Sequence, residues 1–123
     1  MRLVVIESPY TASGNANVEE HITYARVCMA DCLMRGEAPF ASHLLYTQPD
    51  ILDDDDPYER KLGIEAGLAW GERADVVVVY IDMGISPGMR YGIERATKRG
   101  TPVEYRSIAE EGGAWSVTVG GEE

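Results

Sequence analysis

The run from Val76 to Ile81, inside the segment DVVVVYI at 75–81, constrains this chain more than any other stretch. It shows no polar alternation, and a continuous β-branched run of strand length belongs in a parallel sheet covered on both faces. Parallel neighbours need long crossover connections, usually helical, so strands and helices should alternate along the rest of the chain. They do. LVVI at 3–6 reads as a buried strand, APFA at 38–41 as a short one, TPVEY at 101–105 as a fourth and AWSVTV at 114–119 as a last edge strand. A long helix between them is capped by Asn17 and ended by Gly36, with Val18, Ile22, Ala25, Met29 and Cys32 or Leu33 inward. A second helix covers 58–73 with Leu62, Ala66, Ala69 and Trp70 inward, and a third covers 89–99 with Met89, Ile93 and Ala96 inward before Gly100. The expected fold is a single α/β domain over residues 1–123. It is a three-layer sandwich around an open, mainly parallel sheet, flavodoxin-like or Rossmann-like, with strand order 2-1-3-4-5.

Size and charge narrow the function. A chain of 123 residues makes one ordinary domain, so a site is built within it or completed by another subunit. Eleven Lys and Arg against twenty-one Asp and Glu leave a formal charge of -10, which repels duplex nucleic acid and anionic membranes. A small anionic ligand stays feasible, because locally aimed amides outweigh a distant field. The opening MRLVVIESPY has too short an apolar run for a signal sequence or a membrane span, and a cytoplasmic setting is expected. Cys28 and Cys32 lie four apart in a helical pattern, which fits burial and neither a redox pair nor a zinc site.

In this architecture ligands sit beyond the carboxyl ends of the strands, at the topological switch point. The loops there carry Ser8, Pro9 and Tyr10, then Ser42 and His43, then the segment 82–88 beginning with Asp82. Ser86, Pro87 and Gly88 open a helix, where a serine and free amides hold a phosphate or carboxylate, or make an ordinary cap. His43 and Gln48 can read a base or sugar through hydrogen bonds. His21, at the border of its helix stripe, reads as a surface residue. Glu65 shares a helical side with Leu62, Ala66 and Ala69, and an inward carboxylate there must be paired or functional. Glu94 faces away from Met89, Ile93 and Ala96, lies four residues from both Arg90 and Lys98, and reads as part of a surface ion pair. Four aspartates from Asp53 lack the oxygen spacing and the glycine of a calcium loop and read as the solvated start of a helix. No phosphate loop of the GxxxxGKS kind and no GxGxxG occurs, so neither ATP nor a dinucleotide is implied, and no cofactor or metal is expected.

VVIESPY, GEAPFASHLLYTQ, ERKLGIEAGLAW leading to ADVVVVY, and SPGMRYGIERATKRGTPVEY together resemble the nucleoside 2-deoxyribosyltransferase-like superfamily, including its small nucleotide N-glycosidase and uncharacterised phage and bacterial branches, through residues 3–106. The resemblance implies that the loop after the third strand binds the sugar or its 5'-phosphate and that a glutamate on the next helix attacks the anomeric carbon. Ser86, Gly88, Tyr91, Ala96 and Gly100 fit that pattern, but Gly92 stands at the glutamate position and Gly67 at that of a second family acid.

The resemblance implies N-glycosidic bond hydrolysis or deoxyribosyl transfer on a nucleoside or nucleoside 5'-monophosphate. Glu65 is then, on its facing, the replacement carboxylate, as nucleophile or as anchor for the ribose hydroxyls, His43 and Tyr10 orient or protonate the base, and Ser86, Gly88 and Met89 hold the phosphate. Ser8, Gln48, Asp82, Tyr91 and Gly92 complete the expected binding set. The two glycines set a non-catalytic nucleotide-binding or sequestering protein beside the enzyme as the alternative. Related enzymes close their clefts with a neighbouring subunit, so a homodimer or larger homo-oligomer is expected, with Trp70 and the 107–121 tail as its surface.

Overall fold

The valine run folds as the centre of a parallel sheet. The computed structural model describes residues 1–11 and 17–109. Its elements are β1 (Leu3–Glu7), α1 (Val18–Met34), β2 (Ala38–Phe40), α2 (Ser42–Leu45), α3 (Pro57–Gly71), β3 (Val76–Tyr80), α4 (Pro87–Lys98) and β4 (Val103–Arg106). The strands lie in the order β2-β1-β3-β4, all parallel, with Leu3 opposite Ala38, Val4 opposite Val76 and Val77 opposite Val103. These are the first four positions of the expected order. The segment 114–119, expected as a fifth strand, lies outside the described residues. No helix among the described residues is long and apolar enough to cross a membrane.

Every residue of β3 is buried, and strand pleating sends its side chains alternately to two cores. Val76, Val78 and Tyr80 join Val4, Ile6, Tyr24, Cys28 and Cys32 beneath α1. Val77 and Val79 join Met89 and Ala96, with Val5 and Ile93 packed alongside, beneath α4. Burial of each such valine contributes roughly 1.5–3 kcal/mol relative to exposure, which makes β3 the element least tolerant of truncation.

Helix α1 begins as its sequence requires. The Asn17 side chain accepts from the Glu20 amide at 2.8 Å, the Glu20 carboxylate accepts from the Asn17 amide at 3.0 Å, and Gly36 leaves the helix with φ 79°. Its buried face differs from the expected one. The stripe is His21, Tyr24, Ala25, Cys28 and Cys32, so His21 is an interior residue and Val18 and Ile22 are only partly covered. Burial is offset at two of the polar groups, where Tyr24 donates to Asp82 at 2.6 Å and His21 Nδ1 donates to the Tyr10 carbonyl at 3.1 Å, while His21 Nε2 is buried without a partner among the described residues. Cys28 and Cys32 are buried free thiols, as expected, and burial pushes both upward, Cys32 to about 11.

Helix α3 also turns a different face inward. Asp56 caps it by accepting from the Tyr58 and Glu59 amides, with Pro57 in the first turn. Its buried residues are Gly67, Leu68 and Gly71, whereas Leu62 is 45% and Trp70 56% exposed. Glycine explains the rotation. A β-carbon on Gly67 would stand 2.8 Å from the Ser42 side chain, and one on Gly71 would stand 2.7 Å from Arg99 Nη2. The helix therefore presents Gly63, Gly67 and Gly71, spaced four apart, to its neighbours.

A charged cluster fastens the far side of the sheet. Arg106 grips Glu37 through both terminal nitrogens, at 2.8 and 2.7 Å, and Arg2 adds a third contact at 2.6 Å. Hydrogen bonds from Arg106 outweigh burial and hold Glu37 down at about 2.

Candidate functional site

β1 leads to α1 on one face of the sheet and β3 to α4 on the other, and α3 and α4 flank a cavity of about 330 Å³ at this switch point. From β1 come Glu7, Ser8 and Tyr10, and from α2 Ser42 and His43. Helix α3 supplies its glycine face and Arg60, and the start of α4 supplies Ser86, Gly88, Met89, Tyr91 and Gly92, with Arg99 reaching in from just past the end of that helix.

Glu7 occupies a position that strand alternation assigns to the α4 face, two residues beyond Val5. Its carboxyl fills the space beside Gly92, where any added β-carbon would collide with it. Removal from water pushes Glu7 up to about 8, and the positive charge of Arg99 offsets part of that rise. The group therefore holds a proton at neutral pH. A carboxylic acid in that state both donates and accepts hydrogen bonds.

Ser8 Oγ and His43 Nε2 are 2.7 Å apart. Burial, with the nearby charge of His21, lowers His43 to about 4, so its imidazole is neutral at physiological pH. Tyr10 stands edge-on to the His43 ring, centroids 6.3 Å apart, and its carbonyl is held by His21. At the start of α4 the Ser86 hydroxyl accepts from the Met89 amide at 3.3 Å, so this serine serves as the helix cap while lining the cavity.

Ser8, Tyr10, His43, Ser86, Gly88, Met89, Tyr91 and Gly92, all expected at a site, are brought together here. Glu65, Gln48 and Asp82 are not. Glu65 is exposed because it is two positions from both Gly63 and Gly67, about 200° around the helix from the face toward the cavity. Gln48 is exposed, its amide donating to the Leu45 carbonyl at 3.4 Å. Asp82 is committed to its own chain. It accepts from Tyr24, from Ser107 at 2.7 Å, and from the Ile108 and Ala109 amides at 3.0 and 2.8 Å. Burial alone would raise Asp82, but these bonds override it and hold the carboxylate at about 2. Glu94 is exposed as expected, and Asp54 of the aspartate run pairs with Arg60 at 2.6 Å. The described residues include no group of three or more His, Cys, Asp or Glu placed to hold a metal ion. Trp70 is exposed and donates to the Tyr46 hydroxyl at 3.0 Å; of the tail, 110–121 lies outside the described residues.

Sequence reasoning missed Glu7 and Arg99. Glu7 had a legible signal, a carboxylate on the strand face otherwise given to Val5, at the strand end that meets a switch point. Arg99 follows the α4 helix and had none, since its reach depends on the missing side chain of Gly71.

The chain belongs to the family described as Domain of unknown function (DUF7768), which matches residues 2–106. No curated protein matches it.

Proposed function

We propose that this DUF7768 chain binds a nucleoside or nucleoside 5'-monophosphate in the cavity between α3 and α4 and hydrolyses its N-glycosidic bond, with Glu7 and not Glu65 as the working acid. The observation that carries this reading is the Glu7 carboxyl beside Gly92, the position of the attacking glutamate in the superfamily the sequence resembles. A carboxyl delivered from the strand takes up the space that a helix side chain would fill. A cavity of about 330 Å³ lies within the size range of small-molecule sites.

In this reading the protonated Glu7 gives its proton to a ring nitrogen of the base as the bond between that base and the anomeric carbon breaks. The carboxylate left behind stabilises the cationic sugar. Water then adds to the anomeric carbon and returns a proton to Glu7, so nucleoside and water become free base and free sugar. In deoxyribosyl transfer a second base takes the place of water. Neutral His43 with Ser8, and Tyr10, orient the leaving base, while Ser86 and the first amides of α4 face a 5'-phosphate. Glycine at both usual acid positions, Gly67 and Gly92, favours a second reading, nucleotide binding without turnover.

Purified protein incubated with nucleosides and nucleoside monophosphates, with free base measured by chromatography, separates the two. Base release that falls at least about a hundredfold in Glu7→Gln supports the enzyme. Binding without release supports the second reading, and release unchanged in Glu7→Gln removes Glu7 from the chemistry.

A further inference from the structure

Arg99 is built into the cavity from several sides. It caps the carboxyl end of α4, and its Nε donates to Thr101 Oγ1 at 2.9 Å, which fixes the guanidinium plane. Its Nη2 atom lies over Gly71 in the space a β-carbon would enter, so α3 leaves out a side chain where this one passes. Both Arg99 and Glu7 line the cavity.

We propose that Arg99 is a positioning residue for Glu7: its guanidinium, oriented by Thr101 and seated against Gly71, supplies the fixed positive charge that stabilises the Glu7 carboxylate after the proton has left. This rests on the reading of Glu7 as the acid. A carboxylate formed in a cavity away from water has little solvent to stabilise it, and a preoriented cation does so without reorganising. The other charged or titratable side chains lining the cavity are Tyr10 after β1, His43 from α2, Tyr46 just past it, Asp54 before α3, Glu59 and Arg60 from α3, and Tyr91 from α4. Arg60 is paired with Asp54, His43 is neutral, and the charge that acts on Glu7 is that of Arg99.

The test follows the Glu7 side-chain carboxyl carbon by NMR in free, carbon-13-labelled protein across a pH series, together with base release. Arg99→Met moves the Glu7 midpoint upward by about one pH unit, and Arg99→Lys brings it most of the way back. Thr101→Val keeps the charge but frees the guanidinium, and it moves the midpoint less, in the same direction. Should Arg99→Met fail to fold, Arg99→Lys and Thr101→Val carry the test. A midpoint that stays in place in every folded variant overturns the proposal. If the midpoint moves and base release falls in step with it, the role in catalysis stands. If the midpoint moves but no variant, wild type included, releases base, the electrostatic link is real but its catalytic role is overturned together with the reading of Glu7 as the acid.

Discussion

Glu7 and Gly92 share one volume: the carboxyl of the first, projecting from the end of β1, occupies the place where the second would carry a side chain on α4. Strand and helix each have room for this arrangement only because the other yields.

Gly92→Ala tests that relationship directly. The methyl displaces the Glu7 carboxyl and costs about 1–3 kcal/mol of stability, as overpacking does. In a Glu7→Ala background the same substitution costs less than about 1 kcal/mol, because the space has been vacated. Denaturant unfolding of the four proteins gives the coupling, and equal costs in both backgrounds contradict the shared volume.

Stability falls as pH rises through the range set by Glu7. Its folded value, about 8, lies above the ordinary 4.5, so between these limits the folded state binds more protons than the unfolded one and loses stability with rising pH. Wild type should lose up to about 2 kcal/mol between roughly pH 6.5 and 8. In Glu7→Gln that slope disappears. Urea melts at stepped pH decide it, and an unchanged slope in the variant assigns the effect elsewhere.

His43 acts with the opposite sign. Its folded value of about 4 is below the ordinary 6.5, so the folded state binds fewer protons in that window and stability is lost as pH falls through it. His43→Gln should flatten this limb by on the order of 1–3 kcal/mol. Between pH 4.5 and 6.5 the two groups oppose each other in wild type, so each single variant should reveal the slope of the other.

The Glu37 and Arg106 side chains are 8% and 9% exposed, and Glu37→Gln leaves Arg106 with only its longer ionic contact, at 3.3 Å, to the more exposed Glu104. The expected loss is about 3 kcal/mol, and thermal unfolding reads it. Loss of less than about 1 kcal/mol would place the pair effectively in solvent.

The four described strands, their order and the three longer helices were legible because apolar runs and caps are local signals. The inward faces of α1 and α3 were not. His21 and Tyr24 are buried against partners far along the chain or in a loop, and hydropathy reads such residues as outward. Gly67 and Gly71 contribute nothing to an apolar stripe, so Leu62 and Trp70 drew the α3 face to the wrong side and carried Glu65 with them. The short α2 was hidden in what reads as a loop. Eight of the expected residues line one cavity because the segments after β1 and β2 and the start of α4 meet at one end of the sheet. Asp82 follows β3 at the same end, but its oxygens answer to Tyr24, Ser107 and the amides beyond.

Of the three glycines on the α3 face, two serve the neighbours of the helix: Gly67 admits Ser42 and Gly71 admits Arg99, so a methyl at either would displace a side chain of the wall. At Gly63, a single carbon would meet only Leu52 at 3.2 Å and Tyr46 at 3.8 Å. Gly63 is thus the position on this helix where the cavity wall can be built out without displacing Ser42 or Arg99.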